Sequence, residues 1–93
     1  MMARNDLKKL YKELTLNEFS FLPRRENKLI YIYRKVQLQY PQLCDDNFLC
    51  INNCTKGNNE PEWHHAVRRA LDRLKRISKS VEKLQKRGYW KFT

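Results

Sequence analysis

Three cysteines and two histidines are the side chains of this sequence with the widest range of chemistry. Cys44, Cys50 and Cys54 are clustered ahead of His64 and His65. Thiolates combined with an imidazole are typical ligands of tetrahedral zinc, but the sequence lacks the C-x-x-C pair found in most zinc-binding knuckles. We therefore expect no metal and no other cofactor, and we expect buried or incidental thiols in a reducing compartment. A small zinc-dependent module is the alternative.

The same residues do not indicate a catalytic site. A cysteine and a histidine can act as nucleophile and base, but here no histidine is close to a cysteine in sequence. The sequence also has no Gly-rich phosphate loop, and its carboxylates are scattered singly. We expect neither enzymatic activity nor a small-molecule substrate.

The stretch PEWHHAVRRALDRLKRIS, residues 61–78, separates into an apolar and a basic side at helical spacing. The apolar side contains Trp63, Val67, Ala70, Leu71, Leu74 and Ile77. The other side contains His64, His65, Arg68, Arg69, Asp72, Lys75 and Arg76. The apolar side predicts a core helix that begins with Pro61 and is capped by Asn59 or Glu60.

The basic side of this helix is the candidate surface for nucleic-acid contact. Arginine can donate two hydrogen bonds to guanine, and histidine can donate to a phosphate or a base acceptor. Asp72 is spaced to orient Arg68, Arg69 or Arg76. A charged helix face that is merely solvated is the alternative.

The net charge of the chain supports a polyanionic partner. Twenty Lys and Arg against ten Asp and Glu give a formal charge of +10 on 93 residues. Such an excess attracts nucleic acid at long range. We expect no membrane association, because no apolar run approaches the length of a transmembrane helix and the N-terminus lacks the apolar core of a signal peptide. The expected location is the cytoplasm, or the nucleoid if the source is bacterial.

The elements that position these residues follow from apolar spacing along the chain. Residues 4–14 are predicted to form an amphipathic helix outside the main unit, and residues 15–23 a linker tethered by Phe19, Phe21 and Leu22. Residues 24–40 are predicted to form a helix that stops at Pro41. A short helix capped by Asp45 or Asp46, presenting Phe48, Leu49 and Ile51, precedes an Asn-rich loop. The predicted division is 1–23 and 24–93.

A β-hairpin is predicted at the end of the sequence. Its first strand is placed at residues 81–85, and Gly88 supplies the positive φ of the turn. Trp90 and Phe92 alternate with Tyr89, Lys91 and Thr93, so the two rings and Trp63 are expected in the core while Tyr89 points to the other face. Lys86 and Arg87 at the tip suit contact with phosphates or the minor groove. A solubilising turn is the alternative.

The sequences EWHHAVRRALDRLK and KRGYWKFT resemble the recognition helix and wing of winged helix-turn-helix domains. The resemblance is to the N-terminal domains of Mrr-type and other modification-dependent restriction endonucleases. A Trp near the helix start, a Val-Arg pair, regular Leu positions and a closing Gly-aromatic-Trp strand carry it, over residues 27–93. The sequence departs from the pattern in having no Gly after the helix and a long preceding loop.

This resemblance implies a mainly α fold with a small C-terminal β-hairpin that binds double-stranded DNA. Residues 61–77 would enter the major groove and residues 86–88 would brace the backbone. The resemblance also implies a role in sensing modified bases within a restriction system, whose nuclease residues would lie in another segment. The alternative is a winged helix that docks an acidic protein or mediates formation of a homodimer.

Overall fold

The part of the chain that the structure describes folds into three α-helices and one three-stranded antiparallel sheet. The computed structural model describes residues 4–50 and 60–93, with side chains from residue 6 onward. The elements in chain order are α1 (Arg4–Asn17), β1 (Glu26–Lys28), α2 (Leu29–Gln39), a 3-10 turn (Pro41–Leu43), α3 (Glu62–Ile77), β2 (Val81–Lys83) and β3 (Tyr89–Phe92). About half of these described residues are helical, and the predicted C-terminal hairpin is present. Ile51, Cys54 and most of the predicted loop lie outside the described residues.

The apolar side of α3 forms the centre of the core, as its spacing predicts. Trp63 is 2% exposed and Leu71 is fully buried, and both belong to one cluster with the apolar faces of α1, α2 and the sheet. Ile77 differs from the prediction because it is 61% exposed. It is the last residue of α3 and lies at the edge of the apolar stripe, where the elements of residues 4–50 and 60–93 leave it uncovered.

Helix α1 packs inside this core, which differs from the prediction that it lies outside the main unit. Leu10 and Leu14 have no exposed surface and lie in the same cluster as Trp63. The predicted tether is confirmed, since Phe19 and Leu22 are also buried. A short amphipathic helix can bury its apolar stripe only against another element, and α3 offers a wide apolar side.

Strand β1 replaces the beginning of the helix predicted at residues 24–40, so α2 starts only at Leu29. β1 pairs with β3, and the backbone N–H of Leu29 continues this pairing by donating to the carbonyl of Gly88 at 2.7 Å. The buried Asn27 side chain donates to the carbonyls of Pro23 and Arg25. The long-range pairing with β3 and the local hydrogen bonds of Asn27 together satisfy backbone groups that a longer α2 would otherwise use.

The short helix predicted after Asp45 is also absent from the described residues. The 3-10 turn ends at Leu43, before Asp45. The Asp45 carboxylate then caps a turn by accepting a hydrogen bond from the backbone N–H of Asn47 at 2.9 Å. Beyond this turn the chain pairs with the approach to α3 through a bridge between Leu49 and Pro61. Pairing with that distant segment consumes the backbone groups that a helix would require.

The sheet has the order β1-β3-β2, with β3 in the centre. Lys28 lies opposite Tyr89, and Val81 lies opposite Phe92. Gly88 has φ +81°, and Trp90 and Phe92 are buried, as the sequence predicts. The first hairpin strand ends at Lys83, two positions earlier than predicted.

Candidate nucleic-acid interface

An ion pair at the start of α3 uses most of the hydrogen-bonding capacity of Arg68. Its guanidinium donates two hydrogen bonds to the Glu60 carboxylate, at 3.0 and 2.5 Å. It also donates to the Tyr33 hydroxyl at 2.8 Å and to Nδ1 of His65 at 2.9 Å. The Arg68 side chain is 35% exposed and that of Glu60 16%. The network of Glu60, Arg68, Tyr33 and His64, called here the Glu60 network, therefore joins α2 to α3.

His64 is held in this network by ring contacts. Its imidazole stacks on the Tyr33 ring with centroids 3.9 Å apart and an interplanar angle of 5°. It meets Trp63 edge-on at 4.4 Å, and its Nδ1 lies 3.1 Å from a Glu60 carboxylate oxygen. Trp63 in turn donates from Nε1 to the Asp46 carboxylate at 2.9 Å. Rotation of His64 toward an external ligand would break all three of its contacts.

The protonation states of the Glu60 network are set by hydrogen bonding and burial. Hydrogen bonds from Arg68 lower the pKa of Glu60 to about 2, and they outweigh the opposing effect of burial. Burial lowers the pKa of His64 and raises that of Tyr33. At neutral pH the network therefore contains a carboxylate, a guanidinium, a neutral imidazole and a neutral phenol. Neutral His64 donates its Nδ1 proton to Glu60.

The remaining predicted residues of α3 lie on its outward face. Four of them are exposed: Arg69, Asp72, Lys75 and Arg76. Asp72 pairs with Lys75 at 3.4 Å and not with any of the arginines considered in the sequence analysis. The Arg69 guanidinium lies 5.7 Å from the centre of the Tyr11 ring on α1. The basic groups of this face that do not belong to the Glu60 network are therefore in contact with solvent.

The hairpin tip gathers basic side chains around one aromatic ring. Lys86 Nζ lies 4.4 Å from the centre of the Tyr89 ring, and Lys28 Nζ of β1 lies 5.7 Å from the same centre. Arg87 is exposed beside them. Tyr89 is therefore a platform that positions two ammonium groups, through cation–π attraction.

An open hollow of about 650 Å³ lies where the hairpin tip, the start of α2 and the start of α3 meet. It is lined by Lys28, Leu29, Ile30, Tyr33, Glu60, His64, Arg87, Gly88 and Tyr89. The contributions of β1 and α2 were not predicted from the sequence, because residues 24–40 were assigned to one helix and none of them to the interface. Ile30 is 68% exposed, and its position off the apolar stripe of α2 was the available signal.

The cysteines of the described residues are buried, as predicted. Cys44 and Cys50 are each 4% exposed, and burial raises the pKa of Cys44 to about 12. Cys44 is therefore an inert thiol. The structure places Cys50 next to Glu62 and His65, with one ligand atom of each within 4.8 Å of the others. Sequence spacing did not indicate this group.

Comparison of the chain with protein-family models, with curated proteins and with solved structures found no match. Within residues 4–50 and 60–93, none of the helices has the length and apolar character needed to cross a bilayer.

Proposed function

We propose that this chain is a double-stranded DNA-binding domain of the winged helix-turn-helix type. In this proposal α3 lies in the major groove and the hairpin tip lies along the backbone. The observation that carries it is the hollow, where the hairpin tip meets the starts of α2 and α3. A recognition helix and a basic wing must lie side by side to contact one duplex, and their shared hollow supports that arrangement.

The outward face of α3 supports a contact with base edges. The helix has 16 residues and a width that the major groove accommodates, at about 12 Å. Because Arg68 is neutralised by Glu60, we assign direct contacts to Arg69 and Arg76 and give Arg68 a positioning role. His65 and Lys75 lie on the same face and are assigned to phosphates or bases at the groove edge.

The hairpin tip supports contact with the phosphate backbone. Lys86 and Arg87 belong to the tip, and Lys28 adds a third cation through its contact with Tyr89. Contacts of this kind fix the position of a protein on the duplex without reading its sequence. Tyr89 then acts as the support of two lysines, in addition to any contact of its own with DNA.

Fluorescence anisotropy with a labelled duplex tests the proposal at several salt concentrations. Arg76→Ala should weaken binding by ~1–3 kcal/mol if it contacts a base, and Lys86→Ala should reduce the salt slope by ~1 on every sequence. Lys9→Ala is the matched control, because Lys9 is exposed on α1 and lines a cavity with the end of α2, away from the hollow. Wild-type affinity in both test variants would contradict the proposal.

The resemblance to modification-dependent restriction endonucleases extends this proposal to modified bases. A cytosine methyl group lies in the major groove, where apolar contact can distinguish it. We propose that the domain serves as the sensing module of such a system and does not itself catalyse cleavage. Paired titrations with methylated and unmethylated duplexes test this, and equal affinities over many sequences would count against it.

A protein-docking winged helix is the second candidate, and exposed apolar residues on α2 favour it. Ile30 and Leu38 are 68% and 69% exposed. Together with the basic face, they suit an acidic partner or a second copy of the chain. Weak DNA binding combined with tight, salt-sensitive binding of an acidic protein, or with a dimer in sedimentation, would favour this candidate.

A further inference from the structure

Beside the Glu60 network, three side chains of different ligand classes come together. Cys50, Glu62 and His65 each place one ligand atom within 4.8 Å of the other two. The thiol is buried, whereas the side chains of Glu62 and His65 are each 29% exposed. The two partly exposed members also line a cavity of about 170 Å³ between α1 and α3. The group therefore combines an inner thiol with a route from solvent.

Backbone pairing fixes the relative positions of the three residues. The N–H of Cys50 donates to the carbonyl of Glu60 at 2.8 Å, and the N–H of Glu62 donates to the carbonyl of Phe48 at 2.8 Å. These bonds hold Cys50 alongside the first turn of α3. Glu62 and His65 lie three positions apart in that turn and share one side of the helix.

We propose that Cys50, Glu62 and His65 form a zinc-binding site. Thiolate and imidazole are favoured zinc ligands, and a carboxylate commonly completes such sets. With bonds of about 2.0–2.3 Å, the ligand atoms of a tetrahedral site lie roughly 3.5 Å apart. A shift of the ligand atoms by about an ångström closes the observed group from 4.8 Å to this size. Binding releases the thiol proton of Cys50 to solvent.

The Arg68 guanidinium competes with zinc for His65. Arg68 donates to Nδ1 of His65, so the other ring nitrogen, Nε2, carries the ring proton, and it lies 4.0 Å from a Glu62 oxygen. Zinc bound at Nε2 moves the remaining ring proton to Nδ1, where Arg68 can no longer donate. Zinc therefore competes with the Arg68–His65 hydrogen bond, and removal of the Arg68 charge strengthens zinc binding several-fold.

The site would tie the chain around residues 48–50 to the start of α3. One zinc ion joins Cys50 to Glu62 and His65 of the first turns of α3. An ion that binds only the folded chain raises its stability by mass action. The zinc site can be tested independently of DNA binding: of its three residues only His65 is assigned a contact with a duplex, and the metal is titrated in the absence of DNA.

Cobalt titration of the reduced chain, in the absence of DNA, tests the site. Co²⁺ is used because a thiolate ligand gives an intense charge-transfer band, and Zn²⁺ is then added to displace it. We expect one ion per chain, loss of the band in Cys50→Ser and at least tenfold weaker binding in His65→Gln. Cys44→Ser and His64→Gln are matched controls outside the group and should keep the band. Arg68→Met should bind more tightly than the wild type.

Specific results of the cobalt titration would overturn the zinc site. A wild-type chain without a thiolate–cobalt band, or a band that survives Cys50→Ser, overturns the site. If Cys50→Ser fails to fold, His65→Gln decides, because its side chain is partly exposed and circular dichroism can verify its fold. In that variant zinc should raise the melting temperature by less than in the wild type at the same zinc concentration, and an undiminished rise overturns the proposal.

Discussion

Arg68, which its residue type and spacing predict as a contact for nucleic acid, forms an ion pair with Glu60 within the protein. The guanidinium contacts Glu60, Tyr33 and His65, and these contacts fix the start of α3 against α2. Removal of one partner of a partly buried ion pair leaves the other partner desolvated without compensation. Arg68 is therefore expected to contribute more to the stability of the fold than the exposed arginines of the same helix.

Substitution of Arg68 by Ala should lower the free energy of unfolding by ~1–3 kcal/mol, because the Glu60 carboxylate loses its main hydrogen-bond donors. Arg76→Ala is the matched control on the exposed face of α3 and should change it by less than ~0.5 kcal/mol. Urea denaturation followed by circular dichroism measures both. Equal losses in the two variants would show that the ion pair contributes nothing specific.

The lowered pKa of Glu60 predicts a pH dependence of stability. Its value falls from the ordinary 4.5 to about 2 on folding. The unfolded chain thus binds this proton more readily, and the stabilisation from Glu60 is present above pH 4.5 and is lost as the pH falls toward 2. Urea denaturation at intervals between pH 6 and 2 should show a smaller loss in Glu60→Gln than in the wild type. Parallel curves for the two proteins would contradict this assignment.

At the scale of elements, α1 is an integral part of the core. Leu10 and Leu14 are fully buried, and the positive φ values of Glu18 and Phe19 turn the chain back toward the sheet. Phe19 then meets the Phe92 ring of β3 edge-on, with centroids 5.7 Å apart. The helix and the turn after it thus connect α3 with the sheet.

Leu14→Ala should destabilise the domain by ~2–5 kcal/mol, because it removes a fully buried side chain and leaves a cavity. Leu16→Ala, two positions away on the same helix, should have little effect since Leu16 is 69% exposed. Thermal unfolding compares the two variants. If α1 were peripheral to the domain, both substitutions would be tolerated equally.

Local periodicity predicted α1, α3 and the hairpin because their signals lie within a few neighbouring residues. β1 could not be predicted this way, since Glu26–Lys28 forms a strand only through pairing with Tyr89–Phe92. The candidate interface could likewise be predicted only in part. The outward face of α3 follows from its spacing, whereas the bond between Arg68 and Tyr33 joins residues 35 positions apart, and no pattern within α3 indicates it.

At the scale of the whole molecule, the excess of positive charge attracts polyanions, and the fold distributes the cationic side chains over the surface. The formal charge is +10, and exposed cations occupy both α3 and the hairpin. The Glu60 network keeps one carboxylate near this surface neutralised by Arg68. The exposed cations nearby are thus available to phosphates.

Affinity for duplex DNA should fall steeply with salt. Contacts from Lys28, Lys86, Arg87 and one residue of α3 amount to about four phosphates, which predicts a ~100-fold loss between about 50 and 200 mM monovalent salt. Anisotropy titrations over that range measure the slope of log affinity against log salt. An affinity that does not change with salt would rule out the proposed backbone contacts.

The central position of β3 has a consequence for the order in which the molecule assembles. β1 emerges from the ribosome early, yet its partner in the described sheet is encoded more than 60 residues later. During synthesis, the backbone of Glu26–Lys28 therefore remains unpaired with β3, and Phe19 lacks its contact with the Phe92 ring. β1 and β2 can both pair only after Tyr89–Phe92 leaves the exit tunnel, so a nascent chain stalled before that point carries helices but not the sheet β1-β3-β2.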